Sequence, residues 1–216
     1  MARGATGRAA ARDNPPMSAL ADRSLGQLLE QVAAESPSPG GGSSCALTCA
    51  LAAGLVEMAA AFTLSRTEYA ERHERMAAMR ERAGELRAQA LELAERELSV
   101  YGAVLDALRE PEDTPGRAER LGVALSDAAD SPLAVARAAA EVAGLAAEVA
   151  RTGNRHLRGD AISGAVLAEA ACTAAARLAE INLTGRPGDP RREEAAELPR
   201  RALHARLTAL SPERDV

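Results

Sequence analysis

Residues 45–64 read CALTCALAAGLVEMAAAFTL, twenty residues with seven alanines, one charge and one aromatic ring. The run is apolar enough to resemble a membrane span. However, it is Ala-rich rather than Leu-rich, and it carries Glu57 near its middle, where a bilayer makes a carboxylate costly. A buried helix in a soluble bundle is the expected reading. The rest of the chain extends the same composition. Alanine fills 52 of the 216 positions, about 24%, against one Phe, two Tyr and no Trp. Alanine has the best helix propensity and lets helix axes approach closely, whereas a sandwich needs β-branched and aromatic strand residues. No stretch alternates convincingly with period two. The expectation is an all-α, single-domain bundle of about six or seven helices.

Outward from this run, Leu25, Leu28, Leu29 and Val32 recur at i, i+3, i+4 and i+7, and Ser24 with Gln27 forms a capping-box pair ahead of them. That helix must stop before Ser36-Pro37-Ser38-Pro39. The turn Gly40-Gly41-Gly42-Ser43 then opens into the Ala-rich run, which ends near Leu64. Residues 66–109 hold many Glu/Arg pairs at helical spacing and predict one or two long, half-exposed helices, broken by the turn from Pro111 to Gly116. Helices follow over 117–129, over 132–151 with Ser131 as N-cap and Pro132 in the first turn, over 161–182, and over 191–210. Residues 1–22 read as a disordered leader, of which Met1 to Pro16 carry no secretory signal and precede an alternative start at Met17. Residues 23–210 are the domain and 211–216 a frayed tail.

The net charge of −5 and the lack of aromatic platforms exclude a nucleic-acid partner, and no membrane segment is expected. All 26 basic residues are Arg. Cys45, Cys49 and Cys172 lie in apolar stretches and read as buried structural thiols of a cytoplasmic protein. His73, His156 and His204 supply no zinc spacing, so no metal site is expected.

Two polar concentrations remain. Three glycines at the start of a helix leave N–H donors at the positive end of its dipole, suited to a carboxylate, a phosphate or a developing negative charge. The same glycines equally suit a sharp turn and a close helix crossing. The second concentration runs from Gly153 to Asp160. There Asp160 reads either as a helix N-cap or as a carboxylate at a cleft edge, with Asn154 six residues before it. Asn182 falls about six turns beyond Asp160, at the opposite end of its helix, so only two antiparallel chains could bring both into one site. Glu97, among arginines, reads by itself as an ordinary salt-bridged residue.

At these positions the chain resembles the cyclodeaminase/cyclohydrolase family, which includes the C-terminal half of formiminotransferase-cyclodeaminase and stand-alone methenyltetrahydrofolate cyclohydrolases. The stretch from Ser36 to Ser43 is similar to the family's Pro-x-Pro-Gly-Gly-Gly-Ser element. Met58 with Thr63, and Tyr101 through Pro111 to Arg120, fit the regions that follow. Ser131-Pro132 fits a Pro-led helix, Gly153-Asn154 with Asp160 a Gly-Asn…Ser-Asp element, and Ile181-Asn182-Leu183 a closing Ile-Asn-Leu. Three departures stand out: Glu97 replaces Asp, Gly159 replaces Ser before Asp160, and Leu178 replaces Asn.

The resemblance implies a helical homodimer acting on a tetrahydrofolate derivative, with no cofactor beyond that substrate. It implies Asp160, Glu97 and Asn154 as catalytic residues. Substrate binding would fall to Gly40, Gly41, Gly42, Ser43 and Asn182. With no formiminotransferase half in the chain, hydrolysis of 5,10-methenyltetrahydrofolate to 10-formyltetrahydrofolate is favoured over cyclodeamination of 5-formiminotetrahydrofolate. The departures at 97 and 178 leave a third reading, a catalytically decayed helical interaction protein.

Overall fold

Ser24 opens the first helix, α1 (Leu25–Ala33), as its spacing predicts. Its hydroxyl accepts the Gln27 N–H, and the Gln27 side chain accepts the Ser24 N–H. The computed structural model describes residues 20–36 and 39–211. Most of the expected leader, Pro37 and Ser38 of the helix-breaking stretch, and the tail after Ser211 lie outside the described residues. Six further helices follow: α2 (Gly41–Leu64), α3 (His73–Arg109), α4 (Arg117–Ala128), α5 (Asp130–Thr152), α6 (Arg158–Asn182) and α7 (Arg191–Leu210). Short 3-10 turns cover Leu20–Asp22, Thr67–Arg72 and Arg155–Leu157, and no strand occurs among the described residues. The charged stretch thus forms one helix, α3, whose 37 residues span about 55 Å.

Alanine does what its abundance implies. Ala46, Ala52, Ala53 and Ala59 of α2, Ala136, Ala139, Ala143 and Ala146 of α5, and Ala165, Ala168 and Ala175 of α6 are fully buried. At Gly164 a methyl group would sit 3.2 Å from the Ala52 carbonyl of α2, so the two backbones cross almost in contact. Around this core, paired Arg–Glu bridges fix helix register. Arg75 with Glu148 and Arg82 with Glu141 join α3 to α5, and Arg137 with Glu194 joins α5 to α7. The arginine fork makes each a two-bond contact, though these exposed pairs contribute at most about 1 kcal/mol each.

Cys45, Cys49 and Cys172 are buried and unpaired with one another, as expected. Burial pushes the Cys49 and Cys172 thiols up to about 12, which keeps them protonated and unreactive.

Two helix starts differ from the sequence expectation. Helix α5 begins at Asp130, because Ala129 closes α4 and opens α5 with no loop between them. Ser131 is therefore inside the first turn rather than at the cap. Likewise, Asn154 caps the short turn before α6 by accepting the His156 N–H, and α6 starts at Arg158, so Asp160 is a first-turn residue and not the N-cap.

The helix over residues 41–64 and the run over 155–182 are long and apolar enough to cross a membrane by length and composition. About half of each apolar stretch is buried inside the bundle. What remains outside includes Leu51, Phe62, Val166 and Ile181.

The far end of α2 is held by the turn that follows α5 at Gly153-Asn154. The Thr63 hydroxyl accepts the buried Asn154 N–H at 2.8 Å and donates to the Ala59 carbonyl. A methyl group at Gly153 would lie 2.7 Å from the Val149 carbonyl and 3.0 Å from the Thr63 Oγ1. The nearest obstacle is backbone and cannot rotate away. Gly153→Ala is therefore expected to cost about 1–3 kcal/mol. At about 2–4 °C per kcal/mol, thermal unfolding should show it, and an unchanged midpoint would contradict this packing.

Candidate functional site

The first turn of α2 is built from residues without side-chain bulk. Gly40 is its N-cap in extended conformation, with no side-chain cap bond, and the N–H groups of Gly41, Gly42 and Ser43 have no acceptor inside the helix. The space above Gly42 is filled by Glu97 of α3. A methyl group at Gly42 would stand 2.0 Å from Glu97 Oε2 and 2.5 Å from its Cδ. The glycine thus leaves room for the Glu97 side chain of α3 against the α2 backbone, as a close helix crossing requires.

Several elements hold this carboxylate in place. The Ser43 hydroxyl donates to the Ala94 carbonyl at 3.1 Å, one turn before Glu97, and so locks α2 to α3. Leu178 of α6 packs 3.4 Å from where a methyl of Gly41 would be. Ser131, only 1% exposed, approaches Glu97 from the first turn of α5. Asn182 closes the same end, donating from Nδ2 to the Ala128 carbonyl at 3.1 Å.

Glu97 is not salt-bridged in the manner the neighbouring arginines suggest. Its Oε1 is buried and has no hydrogen-bond partner. Burial pushes its pKa above the ordinary carboxylate range, while Ser131 and the positive charge of Arg96 pull it partly back. Its charge in turn helps to raise the Cys45 thiol, whose main cause of shift is burial. By contrast, Glu57 pairs with Arg87 at 2.9 Å, an ordinary structural bridge between α2 and α3. A carboxylate that is desolvated, incompletely bonded and placed at a helix N-terminus is equipped to take up and return a proton.

The remaining candidates lie elsewhere. Asn154 and Asp160 are at the other end of the bundle, beside Thr63. Asn154 is buried and occupied as a cap, and Asp160 is half-buried. The separation of Gly41 from Thr63 along α2 is about 33 Å. One chain therefore does not unite the two polar turns. It unites Glu97, the glycine turn and Asn182 at one end, and Asn154 with Asp160 at the other. Ser131 as a neighbour of Glu97 was missed by the sequence reading. The pair Ser131-Pro132 was visible, but the signal reads as capping.

Comparison with known proteins gives four findings. A profile of the formiminotransferase-cyclodeaminase family matches residues 24–197. A methenyltetrahydrofolate cyclohydrolase of Methylorubrum extorquens is 31% identical over 161 residues, covering 73% of this chain and 77% of that protein. The formimidoyltransferase-cyclodeaminase of Mus musculus is 30% identical over 146 residues, which span 66% of this chain and only 27% of the mouse protein. Among solved structures, a formiminotetrahydrofolate cyclodeaminase from Thermotoga maritima is similar with a TM-score of 0.79 and 26% identity, over 88% of this chain and 94% of that one.

Proposed function

The chain belongs to the formiminotransferase-cyclodeaminase family, and from that premise we propose that it hydrolyses 5,10-methenyltetrahydrofolate to 10-formyltetrahydrofolate. The observation that carries this reading is the half-buried Glu97 carboxylate packed against the glycine turn of α2, with its Oε1 buried and unbonded. The substrate is a cation delocalised over N5, the bridging carbon and N10. Water adds to that carbon as Glu97 takes one of its protons. The bond from carbon to N5 then breaks, N5 receives a proton, and the second water proton leaves as the formyl C=O forms on N10. One proton is released overall. A raised pKa brings Glu97 nearer to working pH, where a base can both accept and return a proton. The negative carboxylate also faces the positive carbon through little water, where electrostatic attraction is strongest.

The same centre suits cyclodeamination, and the structural likeness to the Thermotoga cyclodeaminase favours keeping that reading second. There N10 attacks the formimino carbon and gives up its proton, and that proton together with one from the acid form of Glu97 lets the formimino nitrogen leave as ammonia. No cofactor beyond the folate enters either reaction. Two assays separate the readings: loss of methenyltetrahydrofolate absorbance above the buffer rate, and ammonia release from formiminotetrahydrofolate. Acceleration of the first supports the hydrolase and acceleration of the second alone supports the deaminase. Acceleration of neither overturns both and leaves a decayed interaction protein.

Asp160 and Asn154 enter this scheme only through a second copy. Leu51 and Phe62 of α2 and Val166 and Ile181 of α6 are exposed apolar side chains. An antiparallel homodimer through these two helices would cover them and carry Asp160 of one chain toward Glu97 of the other. A cytoplasmic setting accords with the buried, protonated thiols. Mixing inactive Glu97→Gln and Asp160→Asn chains should restore about a quarter of wild-type turnover, the share of sites that random two-fold pairing rebuilds. No recovery on mixing would place both residues in one chain's site or remove Asp160 from it.

A further inference from the structure

Two buried oxygens at the glycine-turn end, Oε1 of Glu97 and Oγ of Ser131, make no hydrogen bond of normal geometry, although the Ser131 hydroxyl lies near enough to the Glu97 carboxylate to favour its charged form. Buried polar atoms are almost always bonded, so an orphaned pair on adjacent elements calls for an explanation. Capping does not supply it. Ser131 follows Asp130 inside the first turn of α5, and the residue at the cap position is Ala129. Nor does surface chemistry, since Ser131 is 1% exposed.

Groups from several helices surround Glu97. From α2 come the backbone of Gly42 and the thiol of Cys45. From α3 comes Arg96, from α5 Ser131, and from α6 the apolar Leu178 on the neighbouring Gly41. Cys45 stays protonated because burial raises it, and its S–H is only a weak donor, so the Ser131 hydroxyl is the stronger neutral donor facing the carboxylate from another helix.

We infer that Ser131 is a positioning residue, whose hydroxyl turns to donate to the Glu97 carboxylate and holds it in line over the glycine turn during the reaction. The rigid first turn of α5 sets the direction of the donor. Proline at position 132 suits that turn, because its missing N–H is one the turn leaves unused. The hydroxyl favours the charged carboxylate, opposing the effect of burial, and so keeps Glu97 available as a base. This assignment rests on the folate reading only for its catalytic consequence. The coupling between the two side chains stands independently of any substrate.

The test compares wild type, Ser131→Ala, Glu97→Gln and the double variant by thermal unfolding between acid and mildly alkaline pH, alongside pH–rate profiles. Ser131→Ala should lower the unfolding midpoint progressively as Glu97 becomes charged, and this pH-dependent loss should vanish in the Glu97→Gln background. In turnover, the rising limb of the profile should move to higher pH with kcat reduced roughly 10-fold and KM unchanged. Ser131→Thr, which retains a hydroxyl, should keep the limb near its wild-type position. A Ser131→Ala penalty that is the same at every pH and in both backgrounds, or an unmoved limb, overturns the inference. If wild type turns over neither folate while the coupling persists, the positioning inference survives and the folate reading alone falls.

Discussion

Glu97→Gln should lower folate turnover by about 10²–10⁴-fold while the chain remains folded. The amide matches the carboxylate in shape, so the fit above Gly42 and the crossing of α2 with α3 persist. What disappears is the ability to take a proton and the charge facing the substrate cation. The same variant has a thermodynamic signature. Burial raises the folded-state pKa of Glu97 above its unfolded value, so the native chain binds this proton more tightly. Stability from the protonated form is complete below the unfolded pKa of about 4.3, and it is lost as pH climbs through the raised folded value. Glutamine has no proton to lose. The unfolding midpoint of Glu97→Gln relative to wild type should therefore rise from pH about 4 to pH about 8. A midpoint difference that is flat in pH, or near-normal turnover, would show that Glu97 is neither strained nor catalytic.

Gly42→Ala is the second large effect, and it acts on Glu97 without touching it chemically. The new methyl would overlap Oε2 at 2.0 Å, Cδ at 2.5 Å and Cγ at 3.1 Å. These atoms form the flexible end of a side chain, so the carboxylate moves aside and the helix does not. Displacement by an ångström or more from the reacting position costs on the order of 10²-fold in rate. Alanine inside a helix is favoured over glycine by roughly 0.5–1 kcal/mol, which offsets part of the crowding. The expected result is a folded chain with about one hundredth of wild-type turnover and an unfolding midpoint within a few degrees of wild type. This contrasts with Gly153→Ala, where the obstacle is a backbone carbonyl and stability suffers instead. Equal activity in Gly42→Ala would mean that the carboxylate's seat is irrelevant to the chemistry.

The elements that were legible in the sequence are those whose determinants are local. The Ser24–Gln27 box lies within four residues of the helix it starts, and the Ala-rich stretches of α2, α5 and α6 carry their own reason for burial. Helix α7 spans the expected residues 191–210. What escaped is non-local. Ser131 reads as a cap, and Asp160 as either a cap or a cleft-edge carboxylate, because serine and aspartate before a helix usually cap it. The actual starts depend on Ala129 joining two helices and on Asn154 capping an intervening turn. Glu97 looked salt-bridged because arginines surround it in sequence. Its environment comes from Gly42, 55 positions away, and from Ser131 on a third helix. The distance between the two polar turns was half legible. Asp160 and Asn182 fall at opposite ends of one helix by arithmetic, but only the fold shows that the glycine turn shares an end with Asn182.

On the proposed reading, the folate binds at the first turn of α2, beneath Glu97. The amides of Gly41, Gly42 and Ser43 have no intrahelical acceptor and should exchange rapidly with solvent in the unliganded chain. Amide hydrogen exchange with and without 5-formyltetrahydrofolate, a stable folate, measures this directly. The account predicts slowed exchange over residues 40–44 and around Glu97, abolished by Gly42→Ala. Binding that leaves these amides unchanged and protects another part of the bundle would contradict it.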